Sequence, residues 1–364
     1  MAIKLSKEIP KLIDTLKERQ LLITDDKLAS DCLKKTNYFQ MINGFENILL
    51  PTALHPKQFN GKEAFEDFEY LYQFDRDLSS TISGCIYNVE ESLKTSVAYH
   101  FANFYCSGLN DTMQYTNKNN YRNPRWIPDY PFACDNYRFV ISDFDEFIFF
   151  KQNYLKKLIS QNDFIQPEFY KDDNYEPPVN VCTYRYDSHV AVPLWVAIQT
   201  VDFGTLIRMC HYLDTELINS VLADFGFSPS NKFEFLNSLD LMRDLRNKCA
   251  HSSLITRYKT PKKLKINNKI ITTFDLRPRI TTPDNHRLKS VISLFDSLKV
   301  LSYFTNLSSI YKLLIKQRYT FVCRSASIEI DADKRILHRM GNDQFNKWIN
   351  LTKQSPYYQA DLFV

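Results

Sequence analysis

Apolar positions along this chain recur mostly at steps of three and four residues, the spacing that gathers side chains on one face of a helix. The longest such run, Lys62 to Tyr105, carries Phe65, Phe68, Leu71, Tyr72, Leu78, Ile82, Ile86, Val89, Leu93, Val97 and Phe101. It predicts one long helix, or two nearly collinear ones meeting at Gly84. Ahead of it, Ser6 to Gln20 presents Ile9, Leu12, Ile13 and Leu16 on one side. Asp25-Asp26 then starts a second helix bearing Leu28, Cys32 and Leu33. Tyr38 to Leu50 is helical around Gly44 and closed by Pro51.

From Cys106 to His189 the texture shifts to Asn, Asp, Pro and Tyr, with one helix expected around Phe144 to Ser160. The helical pattern resumes at Val190, with helices predicted near Phe203 to Leu213, Thr215 to Phe225 and Asn231 to His251. Leu264 to Ile271 reads as a small hairpin with a two-residue turn. Asn285 to Lys316 reads as a final long helix, followed by a short tail with Gly341 and Trp348. The expected fold is mainly α, a helical bundle with an irregular insertion and a small β-hairpin. Its parts are an N-terminal segment (1–61), a helical core (62–105 and 190–318) interrupted by the insertion (106–189), a basic loop or hairpin (259–284) and a C-terminal tail (319–364).

Composition narrows the function classes. With 364 residues, 44% hydrophobic and 14% aromatic, the chain can fill one large core or two smaller ones. Seven glycines provide no Gly-rich phosphate loop, and the eight cysteines form no C-x-x-C pair. There is no H-E-x-x-H and no serine nucleophile elbow. Neither cofactor nor metal is therefore expected. Met1 to Gln20 lacks a signal-peptide core, and no apolar run approaches the roughly 18 residues of a membrane span. A cytoplasmic protein without a membrane partner is expected.

The net charge of +4 is unevenly placed. Between Arg243 and Lys289 thirteen Lys and Arg face only Asp244, Asp275 and Asp284, a local +10 that leaves −6 for the remainder. Such a block suits a polyanion such as RNA, or else forms a solvated face. Arg243, Lys248, Arg257, Lys259, Lys262, Lys263, Lys265 and Lys269 are the candidate RNA contacts.

Inside this block, Arg246-Asn247-Lys248-Cys249-Ala250-His251 ends a predicted helix. A permanently charged guanidinium and an imidazole that titrates near neutrality can together cleave RNA: one stabilises charge on the scissile phosphate, the other moves a proton. Asn247 can orient either partner. On a straight helix Arg246 and His251 lie about 140° apart, whereas Asn247 and His251 share a face. Convergence needs a bent helix end or a second chain. The competing reading is a histidine interacting with the helix dipole beside a surface arginine.

At these residues the sequence resembles the R-N-x-x-A-H form of the R-x4-6-H motif of HEPN-domain ribonucleases. More specifically it resembles the Abi-like (AbiD/AbiF type) abortive-infection proteins of bacteria. The agreeing blocks run in order: Leu16 to Leu22 with Asp25-Asp26; Asn37-Tyr38-Phe39 with Asn43-Gly44-Phe45; Leu71-Tyr72-Gln73-Phe74-Asp75-Arg76-Asp77-Leu78; Val89 to Thr95 with Ala98-Tyr99-His100; and Pro193-Leu194-Trp195 with Phe203-Gly204-Thr205-Leu206. Gln40, Lys94 and Gln199 depart from the family's usual residues.

The resemblance implies a HEPN-like bundle, a homodimer, and metal-independent RNA cleavage with Arg246, Asn247 and His251 as catalytic residues. It also implies restraint by a partner, for which a small non-coding RNA is a candidate. His100 would line the same cleft or be a structural histidine at a helix end. Two other readings stay open: an RNA-binding protein that does not cut, and a sensor that contacts a phage component through the insertion.

Overall fold

The computed structural model describes residues 7–52, 56–127, 140, 142–251, 253–262, 264–281 and 289–353. Lys263, one of the expected RNA contacts, lies outside them. The fold is mainly α-helical. The described residues fall into two compact units. The first is built from residues up to Cys85, Leu245–Lys259 and the stretch from Ser293; the second from Ile86–Asp244 and Thr260–Ile292. No helix of the described residues is long and apolar enough to cross a membrane.

In the first unit, Ile9–Glu18 and Asp26–Lys35 form the opening pair of helices. Asp25 caps the second by accepting the N–H groups of Lys27 and Leu28. Phe39–Asn43 is a single π-helical turn that runs into the helix Gly44–Leu49. The run from Lys62 onward is one uninterrupted helix, Phe65–Tyr105, which gives its first half to this unit. Phe65, Phe68, Leu71, Phe74, Leu78 and Ile82 on that half are buried. Gly84 does not interrupt it.

The late part of the chain differs from expectation. The expected helix over 285–316 begins outside the described residues, and from 289 on there is instead a strand, Lys289–Val291, then the helices Leu294–Leu301 and Ser308–Ile328. The strand pairs antiparallel with Arg279–Thr281, Ile280 opposite Ser290, so extended backbone finds partners that a helix would have to supply internally. The stretch read as a tail contains the end of Ser308–Ile328 and the helices Ala332–Met340 and Phe345–Lys353. Trp348 is fully buried and stacks edge-on against Phe295 at 4.9 Å.

The second unit holds Phe203–Tyr212, Thr215–Asp224 and most of the motif helix Lys232–Ala250. Asp202 and Asp214 cap the first two of these. The described part of the 106–189 stretch is largely short 3-10 turns around an aromatic core, where Phe144 and Phe147 meet Tyr212 at 5.0 and 5.2 Å and Phe150 meets Tyr121 at 5.0 Å. Packing of these rings replaces the first part of the expected 144–160 helix, which is confined to Tyr154–Gln161.

The expected hairpin at 264–271 is a short helix, Asn268–Thr273. Its cause is a tether: Asn237 donates to the carbonyl of Lys265 at 2.9 Å and accepts the N–H of Asn267 at 3.0 Å, and Asn267 in turn caps the helix through Lys269 N–H. The small antiparallel pair of the fold is formed further along, by 279–281 and 289–291.

Candidate functional site

The motif helix changes character along its length. Phe235, Leu236, Leu239, Leu241, Met242 and Leu245 are buried, whereas Arg246, Asn247, Lys248, Ala250 and His251 are exposed. Its last turn therefore projects chemistry instead of packing. The N–H of His251 still donates to the Asn247 carbonyl at 3.0 Å, so the helical course continues to the histidine. Asn247 and His251 lie on one face, with Lys248 their neighbour at a three-residue step from His251. On that helical course Arg246 lies about 140° around the axis from His251, so the two do not share a face.

The segment after the helix is held by a residue that sequence reasoning passed over. Asp75, wholly buried on the long helix, accepts hydrogen bonds from Ile255 N–H (3.1 Å), Thr256 N–H (2.8 Å) and the Thr256 hydroxyl (2.7 Å). Its carboxylate is further balanced by Arg76 at 2.8 Å, and the same Arg76 nitrogen donates to the Ser253 carbonyl at 2.8 Å. Ser79 reaches the Cys249 carbonyl at 3.4 Å. Together these contacts fix the chain on both sides of His251. Burial here pushes the Cys249 thiol up to about 11, so this cysteine is no ready nucleophile. The available signal was a charged pair inside an apolar stripe: Asp75 sits four residues after Leu71 and three before Leu78, in the buried phase.

Beside the last turn lies a cleft of about 380 Å³ lined by Phe39, Gln40, Lys248, Ser253, Leu254, Arg257, Tyr258 and Lys259. Asn37 builds one wall, since its carboxamide oxygen accepts the N–H groups of Phe39 (2.9 Å) and Gln40 (3.3 Å) and starts the π-turn. A Cβ on Gly44 would come within 2.6 Å of Leu254, which explains a glycine where the two segments meet. Arg257 donates to the carbonyls of Asn43 (2.9 Å) and Gly44 (2.5 Å), and burial lowers its affinity for its proton. Arg339 also donates to Gly44, at 3.0 Å, and stacks over Phe45; burial and the nearby Arg257 bring its pKa down to about 9.

Three of the expected RNA contacts, Lys248, Arg257 and Lys259, thus share one cleft in the first unit. The other described ones, Arg243, Lys262, Lys265 and Lys269, belong to the second unit. Arg243 is half-buried, 3.4 Å from Asp240, and packs against Gly204. Lys269 lies over the ring of Phe233, while Lys262 and Lys265 are exposed. His100 lies inside the long helix with its Nε2 2.8 Å from Asp224, which also accepts from Ser96 at 2.6 Å. Lys94, one of the departures from the family's usual residues, forms an ion pair with Glu90 at 3.1 Å.

A family model described as Abi-like protein matches residues 31–256, more than half of the chain. The matched span runs from the second helix to Thr256 and includes Asp75, Arg246 and His251, ending before the cleft residues Arg257, Tyr258 and Lys259. No curated protein and no solved structure matches. The chain belongs to the Abi-like family, which points to a role in abortive infection.

Proposed function

We propose that this Abi-like protein is a metal-independent RNA endonuclease of the HEPN type, acting in bacterial abortive infection and held in check by a small non-coding RNA. The observation that carries this reading is the exposed Asn247/His251 face at the end of the motif helix, next to a cleft lined by Lys248, Arg257 and Lys259. Cleavage proceeds by attack of the ribose 2′-oxygen on phosphorus, so that the O2′–P bond forms as the P–O5′ bond breaks. His251 is the proton-transfer group, taking the 2′-OH proton or supplying one to the leaving 5′-oxygen. Arg246 stabilises the additional charge on the non-bridging oxygens, and Asn247 orients phosphate or imidazole. The products carry a 2′,3′-cyclic phosphate and a 5′-hydroxyl.

Because Arg246 and His251 of one helix point apart, the complete site takes them from two chains of a homodimer. This is testable by mixing. Arg246→Ala and His251→Ala proteins are each inactive, but unfolded and refolded together they recover about a quarter of wild-type cleavage, since half the dimers are mixed and each mixed dimer has one intact site. Wild-type cleavage by Arg246→Ala alone would remove the arginine from the mechanism; no recovery on mixing would remove the shared site.

The same helical course to His251 favours a second reading, an RNA-binding protein that holds a small non-coding RNA without cutting it. Salt-dependent RNA binding with no new RNA ends, in wild type and in both variants, would select it.

A further inference from the structure

One wall of the cleft has no part in proton transfer. Phe39 opens the π-turn and is 67% exposed, yet its backbone is fixed by Asn37, and the nearby Met41 and Ile42 are fully buried. The ring is therefore projected from a rigid base rather than from a loose loop. A large aromatic held in water in this way gains most from covering by another flat apolar surface. Around it stand cations. Among the described residues Lys248 and Lys259 have no carboxylate within ion-pair distance, and Arg257 gives one guanidinium nitrogen to the carbonyls of Asn43 and Gly44 while its charge stays at the cleft.

An aromatic face beside uncompensated ammonium groups matches the two chemical halves of a nucleotide, a π-surface and a phosphate. The volume of about 380 Å³ falls at the small end of ligand-sized clefts and has room for one such unit, not for a stack of paired bases. A duplex keeps its base faces covered and offers only phosphates and groove edges, so it cannot use Phe39.

We propose that this cleft is a subsite for one unpaired nucleotide of single-stranded RNA, its base stacked on Phe39 and its phosphate held by Lys248 and Lys259. The assignment rests on the ribonuclease reading for its purpose: with His251 three residues beyond Lys248, a nucleotide seated here sets the neighbouring phosphodiester at the proton-transfer group. The enzyme then selects unpaired RNA by stacking, before any base edge is read.

The test uses full-length protein carrying His251→Ala, so that the probe is not consumed. The probes are a short fluorescein-labelled RNA of adenosines and cytidines, which cannot self-pair, and the same strand annealed to its complement. Phe39→Ala weakens binding of the single strand by about tenfold and of the duplex by less than about twofold, and Phe39→Trp restores the single-strand affinity. Lys248→Ala and Lys259→Ala each lower the dependence of affinity on salt by about one ion. Phe39 is exposed, so equal melting temperatures serve as the folding control. Equal losses on both probes, or single-strand binding within about twofold of the parent, overturn the subsite. Cleavage by the otherwise wild-type chain, measured in parallel, separates the two ideas. If Phe39 controls binding but no RNA is cut, the subsite stands and the ribonuclease reading falls; if RNA is cut but Phe39 has no effect, the reverse holds.

Discussion

At Asp75 a carboxylate removed from solvent accepts four hydrogen bonds, three of them from the segment beyond His251. Such a residue is a positioning residue: it holds the segment that follows the motif helix. Asp75→Asn keeps the shape but turns an N–H2 toward donors, leaving at least one of them without an acceptor in a buried site. Chemical denaturation is expected to show a loss of about 2–3 kcal/mol, and Thr256→Val, which removes only the hydroxyl contact, a loss of about 1 kcal/mol. An Asp75→Asn protein as stable as the parent would show that the anchor does not hold. In the sequence Asp75 stood within the family block Leu71 to Leu78 and in the buried phase of the stripe, but its backbone partners lie about 180 positions away, beyond the reach of any local pattern. That Asn247, Lys248 and His251 stand at the end of a helix was legible because the signals for that helix are local.

Helices were legible where the signals are local too. Asp25, read as a start signal, caps its helix, and the long apolar stripe became the helix Phe65–Tyr105. The failures share one cause, an element decided by something distant. Asn237 turns 264–271 from hairpin to helix, and pairing with 279–281 makes 289–291 a strand. Gly341, read as part of a tail, ends the helix Ala332–Met340 at φ 114°, and a Cβ there would lie 1.9 Å from the Ser293 hydroxyl. Gly341→Ala is accordingly expected to cost about 3 kcal/mol, combining left-handed strain with overpacking. Gly61→Ala, at φ 80° in open space, should cost about 1 kcal/mol; equal costs at the two sites would refute the packing argument.

The helix Phe203–Tyr212 carries a pH-dependent element of stability. His211 is buried, and burial, with Lys232 and Arg243 nearby, lowers its pKa from 6.5 to about 3. The unfolded chain therefore binds a proton that the folded chain refuses, so stability is fully present above about pH 6.5 and is lost as the pH falls toward 3. Between pH 7 and 5 this group alone removes about 2 kcal/mol. His211→Leu should flatten that part of the stability profile; an unchanged slope would mean that the imidazole is not held neutral.

For the whole molecule, the account joins an Abi-like chain to RNA chemistry through one histidine at the exposed end of one helix. The most direct measurement incubates the full-length protein, freed of nucleic acid at high salt, with mixed RNA in EDTA, alongside His251→Ala. The account predicts cleavage by wild type alone, new ends bearing 2′,3′-cyclic phosphate and 5′-hydroxyl, and a loss of at least about a hundredfold in the variant. Equal cleavage by the folded His251→Ala protein, or no cleavage by wild type while RNA is still bound, would contradict it.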